Sequence, residues 1–125
     1  MTPGIFLLLI CAGGVGAGVR FVVDGTIRSR VKQLFSWPTA VINLSGSLVL
    51  GFLTGLVASG LASTEASAVL GTGFLGGYTT FSTASYETVQ LIRQKHYGTA
   101  FVYGFGVLVA SIALAYLGYR WGLNA

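Results

Sequence analysis

Apolar positions along the chain gather into four long runs, at about residues 3–23, 38–59, 67–92 and 98–119, with short polar gaps between them. None shows the strict alternation of a membrane β-strand, and all are far longer than one. Backbone in lipid has to satisfy its own hydrogen bonds, so runs of this length predict helices. At about 1.5 Å per residue the second run measures roughly 33 Å, enough to cross a hydrocarbon core of about 30 Å. The pattern predicts an all-α membrane protein: four transmembrane helices in a single domain covering residues 1–125.

The gaps carry start and stop signals. Pro38 follows Trp37, so the second helix is expected to begin there, with the indole at headgroup level. Ser63-Thr64-Glu65 reads as a cap ahead of the third helix, and Gln94 to Tyr97 is a short last connection. The opening Met1-Thr2-Pro3-Gly4 has no basic region, so the first run is expected to be a membrane span and not a leader.

The third run differs from the others. Unbroken, it would be about 39 Å long, and its middle, Gly76-Gly77-Tyr78-Thr79-Thr80-Phe81-Ser82-Thr83, is poor helix-forming sequence. A break near mid-membrane is expected. Unwound backbone at that depth is tolerated only where it is buried in protein or lines a cavity, which makes the break a functional pointer. Paired glycines that merely permit close helix crossing are the structural alternative.

Composition narrows the class. The chain is 54% hydrophobic and only 8% charged, well below the charge that a soluble surface requires. Its 19 glycines suit helices that approach closely, as in Gly14-xxx-Gly18 and Gly51-xxx-Gly55. A single cysteine, Cys11, excludes a disulfide framework within these 125 residues. The net charge of +4 sits mostly in the gaps: Arg28, Arg30, Lys32, Arg93 and Lys95 fall on one side of the membrane and Arg120 on the other. That asymmetry predicts a cytoplasmic location for the first and third loops.

Polar residues within the runs are few and ordered. Thr39, Asn43 and Ser47 recur every fourth residue on one face of the second helix, and Tyr103 and Ser111 share a face of the fourth. A membrane-buried Asn43 needs a partner, either a neighbouring helix or a passing solute. Neutral donors with no carboxylate apart from Glu87 suit an anion better than a cation or a proton, and the ring edge of Phe81 is electropositive. Arg20 and Glu87 lie at similar heights, so an ion pair between them is expected. His96 lies in a gap without ligand companions, and no nucleophile–base pair or metal cluster suggests an enzyme.

The run Gly73-Phe74-Leu75-Gly76-Gly77-Tyr78-Thr79-Thr80-Phe81-Ser82-Thr83, followed by Ser85 and Glu87, closely resembles the Fluc (CrcB) fluoride channel family. Val41-Ile42-Asn43-Leu44 and Gly16-Ala17-Gly18-Val19-Arg20-Phe21 extend the likeness. The resemblance implies a passive, fluoride-selective channel of the cell membrane, built as an antiparallel dual-topology dimer with pores between subunits. It implies Asn43, Phe81, Ser82, Thr83, Tyr103 and Ser111 along the fluoride pore and Arg20 in a basic vestibule. It further implies a structural sodium ion on the backbone carbonyls of Gly76 and Thr79 of both subunits. This chain has Ala84 where the family carries a second phenylalanine, and Val107 where it tends to carry a hydroxyl. With the one-sided charge, these departures suggest pairing with an oppositely biased paralogue. Two other readings are weighed. A small multidrug-type proton-coupled transporter would need a carboxylate in the first helix, where none precedes Asp24. A non-transporting assembly subunit would explain the glycines but not the ordered polar faces.

Overall fold

The computed structural model describes residues 2–31 and 35–125, and all regular structure in them is helical. Lys32 of the first basic gap lies outside the described residues. Helix α1 is Pro3–Arg30 and α2 is Trp37–Ala58. Helix α3 covers 64–78 and contains a π-helical stretch, Ala68–Leu75. Helix α4 is Ser82–Arg93, and α5 is Tyr97–Leu123 with a second π-helical stretch, Val102–Gly106. Three of these, α1, α2 and α5, are long and apolar enough to cross a membrane.

The ends follow local chemistry. Thr2 caps α1 by accepting from the Ile5 N–H, and Ser63 caps α3 by accepting from the Ala66 N–H at 3.1 Å. Pro38 stands in the first turn of α2, as expected. Helix α1 runs to Arg30, past the expected end near residue 23, with its last turns supported by charge and not by intrinsic propensity. Asp24 and Arg28 pair four residues apart at 2.9 Å, and Arg28 and Arg30 face the carbonyl end of the dipole. Helices α2 and α4 end in the same motif, in which the two N–H groups beyond the cap return to the last turn. The left-handed residue is Gly60 (φ 81°) after α2 but Lys95 (φ 63°) after α4.

Two seams organise the packing. Helices α2 and α5 touch backbone to backbone, since a methyl on Gly51 would run into the Ala115 carbonyl and one on Gly118 into the Leu48 carbonyl. Helices α1 and α3 meet in the same way, Gly16 lying on the Phe74 carbonyl and Gly77 on the Gly13 carbonyl. Such contact lets dispersion and weak backbone polar contacts act where lipid removes the hydrophobic drive. Gly51 and Gly55 of the expected packing motifs lie in a seam. Gly14 and Gly18 do not, and nothing within 4 Å would meet a methyl at either. A small cluster of Ala40, Leu91, Ala100 and Tyr103 holds α4 against α2 and α5.

Gly118→Val should lower the stability of the purified protein in detergent by about 1–3 kcal/mol or more, read as a reduced thermal midpoint. Lys95→Gly relieves a left-handed side chain and should raise stability by about 1 kcal/mol, read in the same assay.

Candidate functional site

Helix α3 stops at Tyr78. Thr79 is extended (φ −80°, ψ 161°) and helical geometry resumes at Ser82. The released peptide groups are taken up by one side chain. The Asn43 amide donates through Nδ2 to the Thr80 carbonyl at 2.7 Å and accepts through Oδ1 from the Thr80 N–H at 2.9 Å. The Thr80 hydroxyl in turn accepts from the Thr83 N–H at 3.2 Å and so caps α4. The carbonyls of Gly76 and Thr79 are among those thereby let out of the helical ladder. The residue four beyond Gly76 bonds Asn43, and the residue four beyond Thr79 bonds the Thr80 side chain.

Two cavities flank this break. A groove of about 770 Å³ runs between α2, α3, α4 and α5, with Asn43, Thr79, Phe81, Tyr103 and Ser111 in its wall. No Asp or Glu lines it. A smaller cavity of about 280 Å³ lies toward α1 and is lined by Arg20, Asp24, Thr39 and Thr83. Of the residues singled out from the sequence, Asn43, Phe81, Tyr103, Ser111, Gly76 and Thr79 thus share the groove, while Arg20 and Thr83 share the smaller cavity. Ser82 lines neither; it is exposed, its hydroxyl 3.4 Å from that of Thr80. Phe81 is 84% exposed in the single chain, its ring uncovered at the N-terminal end of α4. Ala84 and Val107 also line the groove, where their small size leaves room.

The helix-face arithmetic holds for Asn43 and Ser47, which both reach the groove, but Thr39 turns to the smaller cavity and to Glu87. The expected Arg20–Glu87 pair is not formed. Glu87 instead accepts from Thr39 Oγ1 at 2.6 Å, from Tyr103 Oη at 3.2 Å and from the Ser36 hydroxyl. Among the described residues its ion-pair partner is Arg28, at 3.9 Å. Three hydroxyl donors satisfy a carboxylate that is only 19% exposed, and α1 brings Arg28, two turns nearer the loop, beside it in place of Arg20. Tyr103 is 1% exposed and packs edge-on against Phe35 at 5.1 Å, so the cluster ties α2, α4 and α5 together.

Comparison with known proteins bears on what this site serves. The sequence pattern of the family described as CrcB-like protein, Camphor Resistance (CrcB), matches residues 7–119. The chain belongs to the CrcB family. Among its relatives, "Fluoride-specific ion channel FluC 1" of Leifsonia xyli is 48% identical over 118 residues, covering 94% of this chain and 86% of that protein. "Fluoride-specific ion channel FluC" of Pyrococcus furiosus is 42% identical over 113 residues, 90% of each chain. The protein of the same name from Thermus thermophilus is 38% identical over 117 residues, 94% of each. The sequence resemblance to this family is therefore correct, and the named relatives are ion channels, not enzymes.

Within this CrcB chain, sequence reasoning missed two features. The role of Thr80 was signalled by its place inside the poor helix-forming run. The hydroxyl cluster on Glu87 was signalled by Ser36, Thr39 and Tyr103 being polar groups near the same membrane face. Asn43→Leu removes both bonds to the Thr80 peptide and should destabilise the CrcB chain by roughly 1–3 kcal/mol for each unpaired group. Faster amide exchange confined to residues around 79–83 would report it. Glu87→Ala strands the buried Thr39 and Tyr103 hydroxyls, each costing about 1–3 kcal/mol, and should lower the thermal midpoint more than Arg28→Gln does.

Proposed function

We propose that this CrcB protein is a passive fluoride channel that lets cytoplasmic fluoride leave the cell across the plasma membrane. The observation that carries the reading is likeness over nearly the whole chain to proteins named fluoride-specific ion channels. The groove supports it chemically. Fluoride is small and strongly hydrated, so its water must be replaced by donors, and the wall offers the second N–H of the Asn43 amide, the Ser47 and Ser111 hydroxyls and an aromatic ring, while the Tyr103 O–H is given to Glu87.

The proposed architecture is a single four-span domain, with α3 and α4 together forming the third span and the break at mid-membrane. Two chains pair antiparallel, each covering the other's groove. The exposure of Phe81, and an apolar groove open along its length, are what a covering subunit would remedy. Asn43, Phe81, Ser82, Thr83, Tyr103 and Ser111 are proposed as pore residues, and Arg20 as the vestibule cation. The carbonyls of Gly76 and Thr79, both released from the ladder and neutral, fit a sodium ion shared with the second subunit, which would supply fixed positive charge at the dimer core. Two features favour a paralogue over an identical second subunit. Ala84 stands in the groove where the resemblance implies a second phenylalanine, and the basic residues fall five to one between the expected membrane sides.

Purified protein in liposomes should release fluoride electrogenically and chloride far more slowly. Absence of fluoride release, both alone and with a CrcB paralogue of the same organism, would overturn the reading. A C-terminal tag should be accessible from the outside only if the subunit inserts one way; an even split would remove the case for a paralogue.

A further inference from the structure

Thr80 is the one described residue common to the walls of both cavities. It is only 7% exposed, although its neighbour Phe81 is almost fully uncovered. Both of its backbone polar groups are held by Asn43, so its hydroxyl alone is free to turn. That hydroxyl accepts from the Thr83 N–H on the side of the smaller cavity and lies 3.4 Å from the Ser82 hydroxyl. A hydroxyl has one proton and two lone pairs, so with one lone pair taken by Thr83 its O–H remains able to donate.

The smaller cavity is suited to receive an anion. Its two ionised residues are not equivalent: Asp24 is neutralised by Arg28 at 2.9 Å, whereas no described acidic oxygen lies within ion-pair distance of Arg20. Arg20 thus presents an unpaired guanidinium to the cavity, while Asp24 is paired with Arg28, which also reaches Glu87 at 3.9 Å, so an anion is attracted to the Arg20 end of the cavity. An anion collected there meets Thr80 before it can reach Asn43 and Phe81.

Resting on the channel reading above, we propose that Thr80 is the partition between an anion-collecting cavity at Arg20 and the conducting groove. Its hydroxyl donates to a small, strongly accepting anion and passes it from one to the other. Asn43 is the positioning residue that fixes the partition by holding its peptide at both ends. The γ-methyl narrows the passage, and the hydroxyl replaces one water of the anion.

The test is flux from liposomes containing wild type, Thr80→Val, Thr80→Ser and Thr80→Ala, each first checked for a monodisperse elution profile and a wild-type far-ultraviolet spectrum. Thr80→Val keeps the shape and removes the O–H donor together with the acceptor of the Thr83 N–H; fluoride flux should fall about tenfold or more, the equivalent of one charge-assisted hydrogen bond. Thr80→Ser restores the donor and should stay within about threefold of wild type, on the same scale. Thr80→Ala widens the passage and should raise the ratio of chloride to fluoride flux about tenfold. Wild-type flux in Thr80→Val, failure of Thr80→Ser to restore it, or an unchanged flux ratio in Thr80→Ala would each overturn the partition while leaving the channel reading intact. An inactive wild type would instead strike at the channel reading itself.

Discussion

A peptide unit cut out of a helix in an apolar setting must find partners for both its N–H and its C=O, or forfeit several kcal/mol for each. Here a single carboxamide does both, with Asn43 bonding the two polar groups of Thr80 across α2 and the break. Only Asn or Gln can donate and accept from one planar head in this way, since an ionised carboxylate only accepts and a hydroxyl is too short to reach both groups. The rest of the site follows from that fixed peptide. Thr80 can then cap α4, which orients Phe81, and the Gly76 and Thr79 carbonyls are left outside the ladder.

The two glycine seams supply the rigidity that such an arrangement requires. Interlocked backbones leave no side chain to rotate, so α2 with α5 and α1 with α3 behave as two stiff pairs. Their junction is polar. Besides the Asn43 clamp it contains the contact of the Ser45 and Tyr78 hydroxyls at 3.0 Å, with Gly46 lying under Thr79. Both cavities open at this junction, and at the smaller one Arg20 of α1 faces Thr39 of α2.

Much of this was readable from the chain. Length and apolarity give α1, α2 and α5 to within a few residues, apart from the polar extension of α1, and the poor helix formers place the end of α3 where the structure has it. Helical periodicity puts Asn43 and Ser47 on one face of α2 and Tyr103 and Ser111 on one face of α5; that the two faces share a cavity wall is what the family resemblance implied. Periodicity fails across the break. The extended turn at Thr79 resets the phase of α4, so Thr83 points to the Arg20 side while Ala84 faces the groove. Height along the membrane normal likewise cannot choose between Arg20 and Arg28 as the neighbour of Glu87, because two turns of one helix differ in azimuth as well as in depth. The membership of the hydroxyl cluster depends on Ser36, a residue of the connection and not of any periodic face.

The seams also bear on how the chain is assembled. Each close-packed pair joins helices that are not consecutive in sequence: α1 waits for α3, and α2 for α5. A nascent chain delivered to the bilayer one segment at a time therefore has neither glycine seam to close until α3 arrives, and the second seam closes only when α5, at the end of the chain, is made. Such interleaved pairing is slow and leaves small-residue faces open to lipid or to a chaperone in the meantime. Lesions in the last helix should then betray themselves as turnover of newly made protein, before any change in the finished molecule is felt.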